Sequence, residues 1–313
     1  MATFEITPEK QASLPRFLYR QATYIPFKVQ HAGLSGKTAI ITGSNTGVGF
    51  ETARQLLDLG LSMLILAVRS EEKGKAAAAK LSPDNPNCVA VWHLDLSDYD
   101  SVVAFAERAK TLHRLDIAVL NAGMCRAKRV FNEKTSHDEI IQVNYLSTAL
   151  LAILLLPVVK ATRPNQPSPS RITFTSSEVA AWAKFSMGQE TPILAALDNK
   201  EDGVDTVGRM FVSKLLGQLF LHRLAKHVPP SVAVINAASP GSVHDSEFNR
   251  ELDKTAAGAV AKLVMRRLAN TAAVGARMMT DAAINHGEEV HGQFLSFQKL
   301  VPRVMSCESC YFT

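Results

Sequence analysis

Residues 42–49 read TGSNTGVG and are the most informative segment of this chain for its fold. This segment follows the apolar run KTAIIT (37–42) directly, and sequence of helical period comes after it. Gly43 permits a tight turn, Gly47 lets the backbone approach a phosphate, and Gly49 lets the helix pack closely on the strand. The other residues of this loop are Ser44, Asn45, Thr46 and Val48. A strand, a glycine-rich turn and a helix N-terminus in this order predict a dinucleotide-binding site.

Further along the chain, short apolar runs continue to alternate with longer segments of helical period. Most runs are continuous in Val, Ile and Leu, as in strands buried on both faces of a sheet. The sequence therefore predicts an α/β protein of Rossmann type, doubly wound, with about seven parallel strands and three α/β/α layers. The predicted strands are 37–42, 62–68, 88–94, 116–121, 171–176, 231–237 and 292–297.

Length and composition favour one large domain, since 47% of the 313 residues are hydrophobic and 20% are charged. We expect an N-terminal arm at 1–35, the domain at 36–300 and a tail at 301–313. The arm mixes aromatic and basic residues, and it either packs over the domain or is a loosely ordered leader. We expect an insertion at 183–203 and a lid at 244–268 to shape substrate specificity, but their sequences do not identify the ligand.

Several classes of partner are not favoured. The net charge of +5 comes from scattered basic residues, so nucleic acid is not expected. The apolar run 145–159 is shorter than the ~20 residues of a membrane span and predicts a buried helix. No secretion signal is recognised at the start, so we expect a cytoplasmic protein. Cys88 and Cys125 are isolated and Cys307 and Cys310 form a single CxxC pair, so no metal site is expected.

The second predicted strand is followed by Arg69, where an NAD-binding fold would carry a carboxylate for the ribose hydroxyls. A guanidinium can instead pair with a 2′-phosphate through charge-assisted hydrogen bonds. NADP(H) is therefore the expected cofactor, and the alternative is that Arg69 is a solvated surface residue.

The motifs of this chain occur in the same order as those of the short-chain dehydrogenase/reductase family. The chain therefore resembles that family, most closely its fungal members from secondary-metabolite pathways. The matching motifs are TGSNTGVG, LDL (94–96), NAG (121–123), VNYLS (143–147), TSS (175–177), SK (213–214) and SPGSV (239–243). The resemblance implies that Asp95 and Leu96 contact the adenine and that Asn121, Ala122 and Gly123 lie on the cofactor ribose side. It further implies that Pro240, Gly241 and Val243 flank the nicotinamide.

The family's active-site Asn, Ser, Tyr and Lys fall on Asn144, Ser177, position 210 and Lys214. Position 210 is Met210, one helical turn before the lysine. A thioether cannot donate a proton, so the family's proton transfer is impossible at this position. The resemblance implies that Lys214 also hydrogen-bonds the nicotinamide ribose, a role that survives the substitution.

Two residues are candidates for a substitute acid in the substrate pocket. Glu178 lies beside the catalytic serine in sequence, and His244 follows the last glycine motif. For each, an ordinary role at the protein surface is the competing interpretation. Met210 makes this pocket softer and more apolar, which suits a bulky hydrophobic substrate.

Three functions are compatible with these residues. The first is an NADP(H)-dependent oxidoreductase in which a substituted acid, or water held by Ser177 and Asn144, completes hydride transfer. The second is a non-redox isomerase, dehydratase or cyclase on the same scaffold, and the third is a catalytically silent binding protein. The resemblance favours the first, with a polyketide, terpenoid or alkaloid as the substrate. It also implies a homodimer or homotetramer that pairs through the 145–159 helix and the Lys214 helix.

Overall fold

The described residues form one twisted sheet of eight strands in the order β3-β2-β1-β4-β5-β6-β7-β8. The computed structural model describes residues 4–184, 192–201, 203–255, 258, 263 and 266–302. The strands are β1 (Thr38–Thr42), β2 (Met63–Val68), β3 (Val89–His93), β4 (Ile117–Leu120), β5 (Ser170–Thr175), β6 (Ala233–Ala238), β7 (Gln293–Ser296) and β8 (Lys299–Val301). All seven predicted strands are present.

The eighth strand was missed by the sequence analysis. Strands β1 to β7 pair in parallel, as predicted, whereas β8 pairs antiparallel with β7. Phe297 and Gln298 form the connecting turn with φ of 50° and 58°. Both central residues of such a hairpin turn have positive φ, a conformation that Asn and Gly usually adopt. A three-residue strand after a turn without either residue leaves little pattern to recognise.

Helices cover both faces of the sheet and give the predicted three layers. They are α1 (Pro8–Gln11), α2 (Leu14–Thr23), α3 (Gly47–Asp58), α4 (Glu71–Leu81), α5 (Tyr99–Ala109), α6 (Glu139–Ile141), α7 (Ser147–Thr162), α8 (Ile193–Asp198), α9 (Thr206–His227) and α10 (Ala272–Ile284). One core contains Phe105, Leu155 and Leu221 of α5, α7 and α9. The other contains Leu56 and Met279 of α3 and α10. The sheet is therefore buried on both faces, which explains its continuous apolar strands.

Helix α7 contains most of the apolar run at 145–159. Among the described residues, one helical stretch, Glu139–Asn165, is long and apolar enough to cross a membrane by length and composition alone. Of its most apolar window, 61% is buried inside the fold. Its apolar side chains are used in the core, as predicted for a buried helix.

The N-terminal arm packs against the end of the domain near β7 and β8. Trp182 donates its indole N–H to the carbonyl of Ala12 at 2.7 Å. Phe17 contacts both Trp182 and Phe297, with ring centroids 5.6 and 6.1 Å apart. The described part of the arm is thus fixed by specific contacts with the domain. The tail with Cys307 and Cys310, and parts of the predicted insertion and lid, lie outside the described residues.

Candidate active site

A cleft of about 440 Å³ lies above the carboxyl ends of the strands. Strand β1 pairs with β2 on one side and β4 on the other, so the chain changes direction across the sheet at this point. Open α/β sheets bind their ligands at such a switch point. Residues from every predicted motif line the cleft: Gly43, Asn45, Thr46, Val48, Arg69, Asp95, Leu96, Asn121, Ala122, Gly123, Ser177, Met210, Lys214, Pro240, Gly241 and Val243.

The phosphate loop has the geometry that its glycines require. Gly43 and Gly47 have φ of 62° and 59°, a region that L side chains rarely adopt. A Cβ on Gly49 would lie 2.6 Å from the carbonyl oxygen of Gly43, so only glycine allows this close packing of α3. Ser44, Gly47 and Gly49 support the loop without lining the cleft. No side chain caps the N-terminus of α3 at Thr46.

Basic side chains stand at the end of the cleft beside β2. Arg69 is exposed and lines the cleft together with Ser70 and Lys73, which begin α4. Lys73 was missed by the sequence analysis, because it is one of several lysines on a polar helix and only the cleft distinguishes it. Two cations at one end of the cleft can bind an anionic group.

The middle of the cleft is shaped by hydrogen bonds among the loops after β1, β3 and β4. Asn121 donates its amide to the carbonyls of Thr42 and Gly43 at 3.0 and 3.2 Å. Asp95 accepts from the Ser97 amide at 2.9 Å and from its hydroxyl at 2.6 Å. These bonds hold Asn121 and Asp95 in the walls, and their neighbours Leu96, Ala122 and Gly123 line the same cleft.

Ser177, Met210 and Lys214 share the opposite end of the cleft. Lys214 is 9% exposed, and its ammonium donates to the Thr175 carbonyl at 2.9 Å. Burial lowers the pKa of Lys214 to about 8, because the charged form loses solvation. Gln218, one turn later on α9, donates to the carbonyl of Ser177 at 3.2 Å and fixes that strand end. Met210 lines the same cleft one helical turn before Lys214 on α9.

Asn144 does not line the cleft. It lies in the π-helical turn Gln142–Leu146, a type of bulge frequent at functional sites. Its side-chain oxygen accepts from the Met124 amide at 2.8 Å, and its amide donates to the Met124 carbonyl at 2.9 Å and the Ser213 hydroxyl at 3.1 Å. Asn144 thus holds Met124, which does line the cleft, and connects it to α9.

The placement of Glu178 and His244 in the substrate pocket was wrong. Glu178 is 3% exposed, and its carboxylate accepts from the hydroxyls of Ser239 at 2.5 Å and Ser296 at 2.7 Å. Glu178 begins the 3₁₀ turn Glu178–Trp182, and its side chain bonds to the ends of β6 and β7, whereas Ser177 lines the cleft. His244 pairs with Asn270 through its backbone and does not line the cleft. Neither residue is placed to act as a substitute acid.

The described start of the predicted lid, residues 246–251, lies along the cleft. Phe248 accepts from the Cys125 amide at 3.1 Å, and its ring centroid is 5.7 Å from the Lys214 ammonium. Arg126 pairs with Glu251 at 2.5 Å and also with Glu139. These contacts fasten the lid segment to the loop that follows Gly123.

Met124, Cys125, Met210 and Phe248 add apolar surface to the walls of the cleft. Cys125 is 2% exposed, and burial raises its pKa to about 11, so its thiol is neutral near pH 7 and a poor nucleophile. Cys125 and Phe248 were missed as pocket residues, since neither belongs to a motif.

Comparison with known proteins identifies the family to which these motifs belong. A model of the short chain dehydrogenase family matches residues 37–188. The short-chain dehydrogenase fogG of Aspergillus ruber is 44% identical over 96% of this chain and 88% of its own length. The short chain dehydrogenase/reductase mfmJ of Annulohypoxylon moriforme is 42% identical over 87% of this chain and 79% of its own length.

A solved structure supports the fold. A short chain dehydrogenase from Escherichia coli CFT073, solved in complex with NADPH, superposes with a TM-score of 0.62 over 85% of this chain and 98% of its own. The sequence identity is 20%, so this likeness concerns the fold alone.

Proposed function

Because this chain belongs to the short-chain dehydrogenase/reductase family, we propose that it is an NADP(H)-dependent oxidoreductase acting on the carbonyl group of a bulky apolar molecule. Its relatives fogG and mfmJ come from fungi, which supports a polyketide, terpenoid or alkaloid substrate in secondary-metabolite biosynthesis. One observation carries the proposal: a single cleft joins the phosphate loop and Arg69 to Ser177, Met210 and Lys214.

The residues in the cleft fit a phosphorylated dinucleotide. The amides at the uncapped start of α3 can bind the pyrophosphate, and Arg69 with Lys73 can bind the 2′-phosphate. Lys214, beside Gly123, can donate to the ribose hydroxyls. Pro240, Gly241 and Val243 are the proposed neighbours of the nicotinamide.

At the substrate end, NADPH supplies a hydride when bound, and the protein must position the carbonyl and supply a proton. The Ser177 oxygen accepts from the Val179 amide at 3.3 Å, which leaves the hydroxyl proton to bond a carbonyl oxygen. We assign the proton to the Lys214 ammonium, since a pKa of about 8 is close to the working range of a general acid. Lys214 becomes a neutral amine and regains its proton from water.

The non-redox alternative is supported by one observation. Among the described residues that line the cleft there is no tyrosine and no histidine, so the family's usual proton donor has no direct replacement. An isomerase, dehydratase or cyclase would need Ser177 and Lys214 only to polarise a carbonyl. A catalytically silent binding protein would need neither.

The test is to titrate the purified protein with NADPH and then to follow NADPH consumption with a panel of apolar ketones. We expect binding and slow, ketone-dependent oxidation of NADPH. Lys214→Arg keeps the positive charge but does not release its proton, so it should retain NADPH binding and lose turnover. Absence of NADPH binding would exclude the oxidoreductase, and binding without consumption would favour the non-redox or silent alternatives.

A further inference from the structure

The side chain of Gln21 in α2 bonds directly to the loop proposed to contact the nicotinamide. Its amide donates to the Ser242 carbonyl at 3.2 Å, and its oxygen accepts from the Ser242 amide at 2.9 Å. Gln21 is 3% exposed and lies 221 residues away from its partner in sequence. The pair reproduces the two hydrogen bonds that a neighbouring strand would make with Ser242.

The same loop is held from its other side by Glu178. The Gly241 amide donates to the Ser239 hydroxyl at 3.0 Å, and this hydroxyl donates to Glu178 at 2.5 Å. Gly241 has φ of 68°, and a Cβ there would lie 2.7 Å from the Gln21 oxygen. The loop is therefore bonded to both Gln21 and Ser239, Asn270 donates a further bond to the Ser242 carbonyl at 2.9 Å, and Gln21 packs tightly against Gly241.

The arm that carries Gln21 is itself held at several points. Arg20 stacks on Phe297 with its guanidinium carbon 4.4 Å from the ring centroid. Gln298 accepts from the Phe27 amide at 2.9 Å and donates to the Phe27 carbonyl at 3.2 Å. Tyr24 packs edge-on against Phe297 at 5.6 Å. The arm therefore holds Gln21 in place against the domain, and the Gln21 amide can restrain loop 240–243.

We propose that Gln21 is a positioning residue, which holds loop 240–243 in the conformation that receives the nicotinamide half of NADP(H). This inference rests on the proposed function. Pro240, Gly241, Ser242 and Val243 all line the cleft, so the loop's conformation sets the shape of this wall. Gln21 does not line the cleft, and it acts through the backbone of Ser242.

The experiment compares the affinities of two probes for the full chain: NADPH, and 2′-phospho-ADP-ribose, which has the same phosphates and adenine but no nicotinamide. Gln21→Ala removes both hydrogen bonds. Gln21→Glu keeps the size of the side chain but places a carboxylate against the Ser242 carbonyl. Gln11→Ala is the matched control in α1, because Gln11 is 6% exposed and makes no described hydrogen bond to the loop.

We expect both Gln21 variants to bind NADPH about tenfold more weakly, because Gln21→Ala loses both hydrogen bonds to Ser242 and Gln21→Glu replaces the bond to the Ser242 carbonyl with repulsion between two oxygens. Their affinity for 2′-phospho-ADP-ribose should equal that of the wild type, and Gln11→Ala should bind both probes normally. A loss of equal size for the two probes would show a general structural defect and overturn the inference. Unchanged NADPH affinity in both variants would also overturn it. Failure of the wild type to bind either probe would instead refute the proposed function.

Discussion

Replacing Met210 with tyrosine should increase carbonyl reduction by this protein. Met210 lines the cleft with Ser177 and precedes Lys214 by one helical turn on α9. Positions four apart on a helix have Cβ atoms ~5–6 Å from each other. A phenol at 210 would therefore share the cleft wall with the Lys214 ammonium and the Ser177 hydroxyl. The cleft of about 440 Å³ has room for the ring.

The magnitude follows from the charge on Lys214. A unit charge ~5 Å away stabilises a phenolate by ~3 kcal/mol at an effective dielectric constant of ~20. This is enough to lower the pKa of a phenol from about 10 to about 8. A positioned general acid in this range contributes ~10²–10⁴-fold to the rate. Since the Lys214 ammonium is tied to the Thr175 carbonyl, the phenol should be the better donor, and we expect a gain of at least tenfold.

The assay is the rate of NADPH oxidation with a generic apolar ketone, compared among wild type, Met210→Tyr and Met210→Phe. The phenylalanine variant matches the ring of tyrosine without its hydroxyl, so it separates proton donation from a change of shape. Phe211→Tyr is a second control, because Phe211 packs against Trp182 with centroids 6.1 Å apart. Neither control should gain activity. Any native activity that depends on an apolar pocket should fall in Met210→Tyr, whose hydroxyl makes the wall more polar.

Two results would refute this reasoning. If the wild type reduces the ketones as fast as Met210→Tyr, a group already present donates the proton efficiently, and the interpretation of position 210 is wrong. If Met210→Phe gains as much as Met210→Tyr, the effect comes from packing and not from the phenol. Inactivity of all variants despite NADPH binding would favour the non-redox or silent alternatives.

Three further predictions concern the cofactor, the lysine and the assembly. Arg69→Asp should reverse or abolish a preference for NADPH over NADH, because it replaces the proposed partner of the 2′-phosphate with a negative charge. The measurement is titration of the wild type and the variant with each cofactor. Equal affinities for the two cofactors in both proteins would make Arg69 an ordinary surface residue. Burial lowers the pKa of Lys214 to about 8 from 10.5, so the unfolded chain binds more protons between these values and the free energy of unfolding should rise with pH across that window. Urea titrations should show this rise for the wild type but not for Lys214→Met, and the rate of ketone reduction should fall as pH rises through about 8. We also propose a homodimer or homotetramer that forms through α7 and α9. Ile153 is 46% exposed on α7, and the Ile153→Glu variant should be monomeric. Sedimentation of the wild type as a monomer at micromolar concentration would exclude the assembly.

The seven parallel strands and the phosphate loop could be predicted from the sequence, because both depend on short-range constraints. Strands buried on both faces are largely apolar, so most of β1 to β7 were visible as continuous apolar runs. The phosphate-binding turn was predictable from its glycines for the same reason. Gly43 and Gly47 have positive φ, and a Cβ on Gly49 would collide with the Gly43 carbonyl. The relation of Met210 to Lys214 was equally local, since helix geometry alone puts positions four apart on one face.

Which side chains meet across the ends of the strands depends on tertiary packing and could not be predicted from the sequence. Glu178 is next to Ser177 in sequence, but it begins a 3₁₀ turn, and its carboxylate bonds to Ser239 and Ser296. Lys73 and Phe248 became site residues because α4 and the lid segment are folded against the cleft.

The contact between Gln21 and Ser242 shows most clearly why sequence was insufficient. A glutamine on a polar arm carries no pattern, and its role exists only because Phe17, Trp182 and Phe297 pack the arm onto the domain. Local periodicity reports which face of an element is buried. It does not report which distant backbone a single amide will reach, because that distance is set by the packing of all the elements between them.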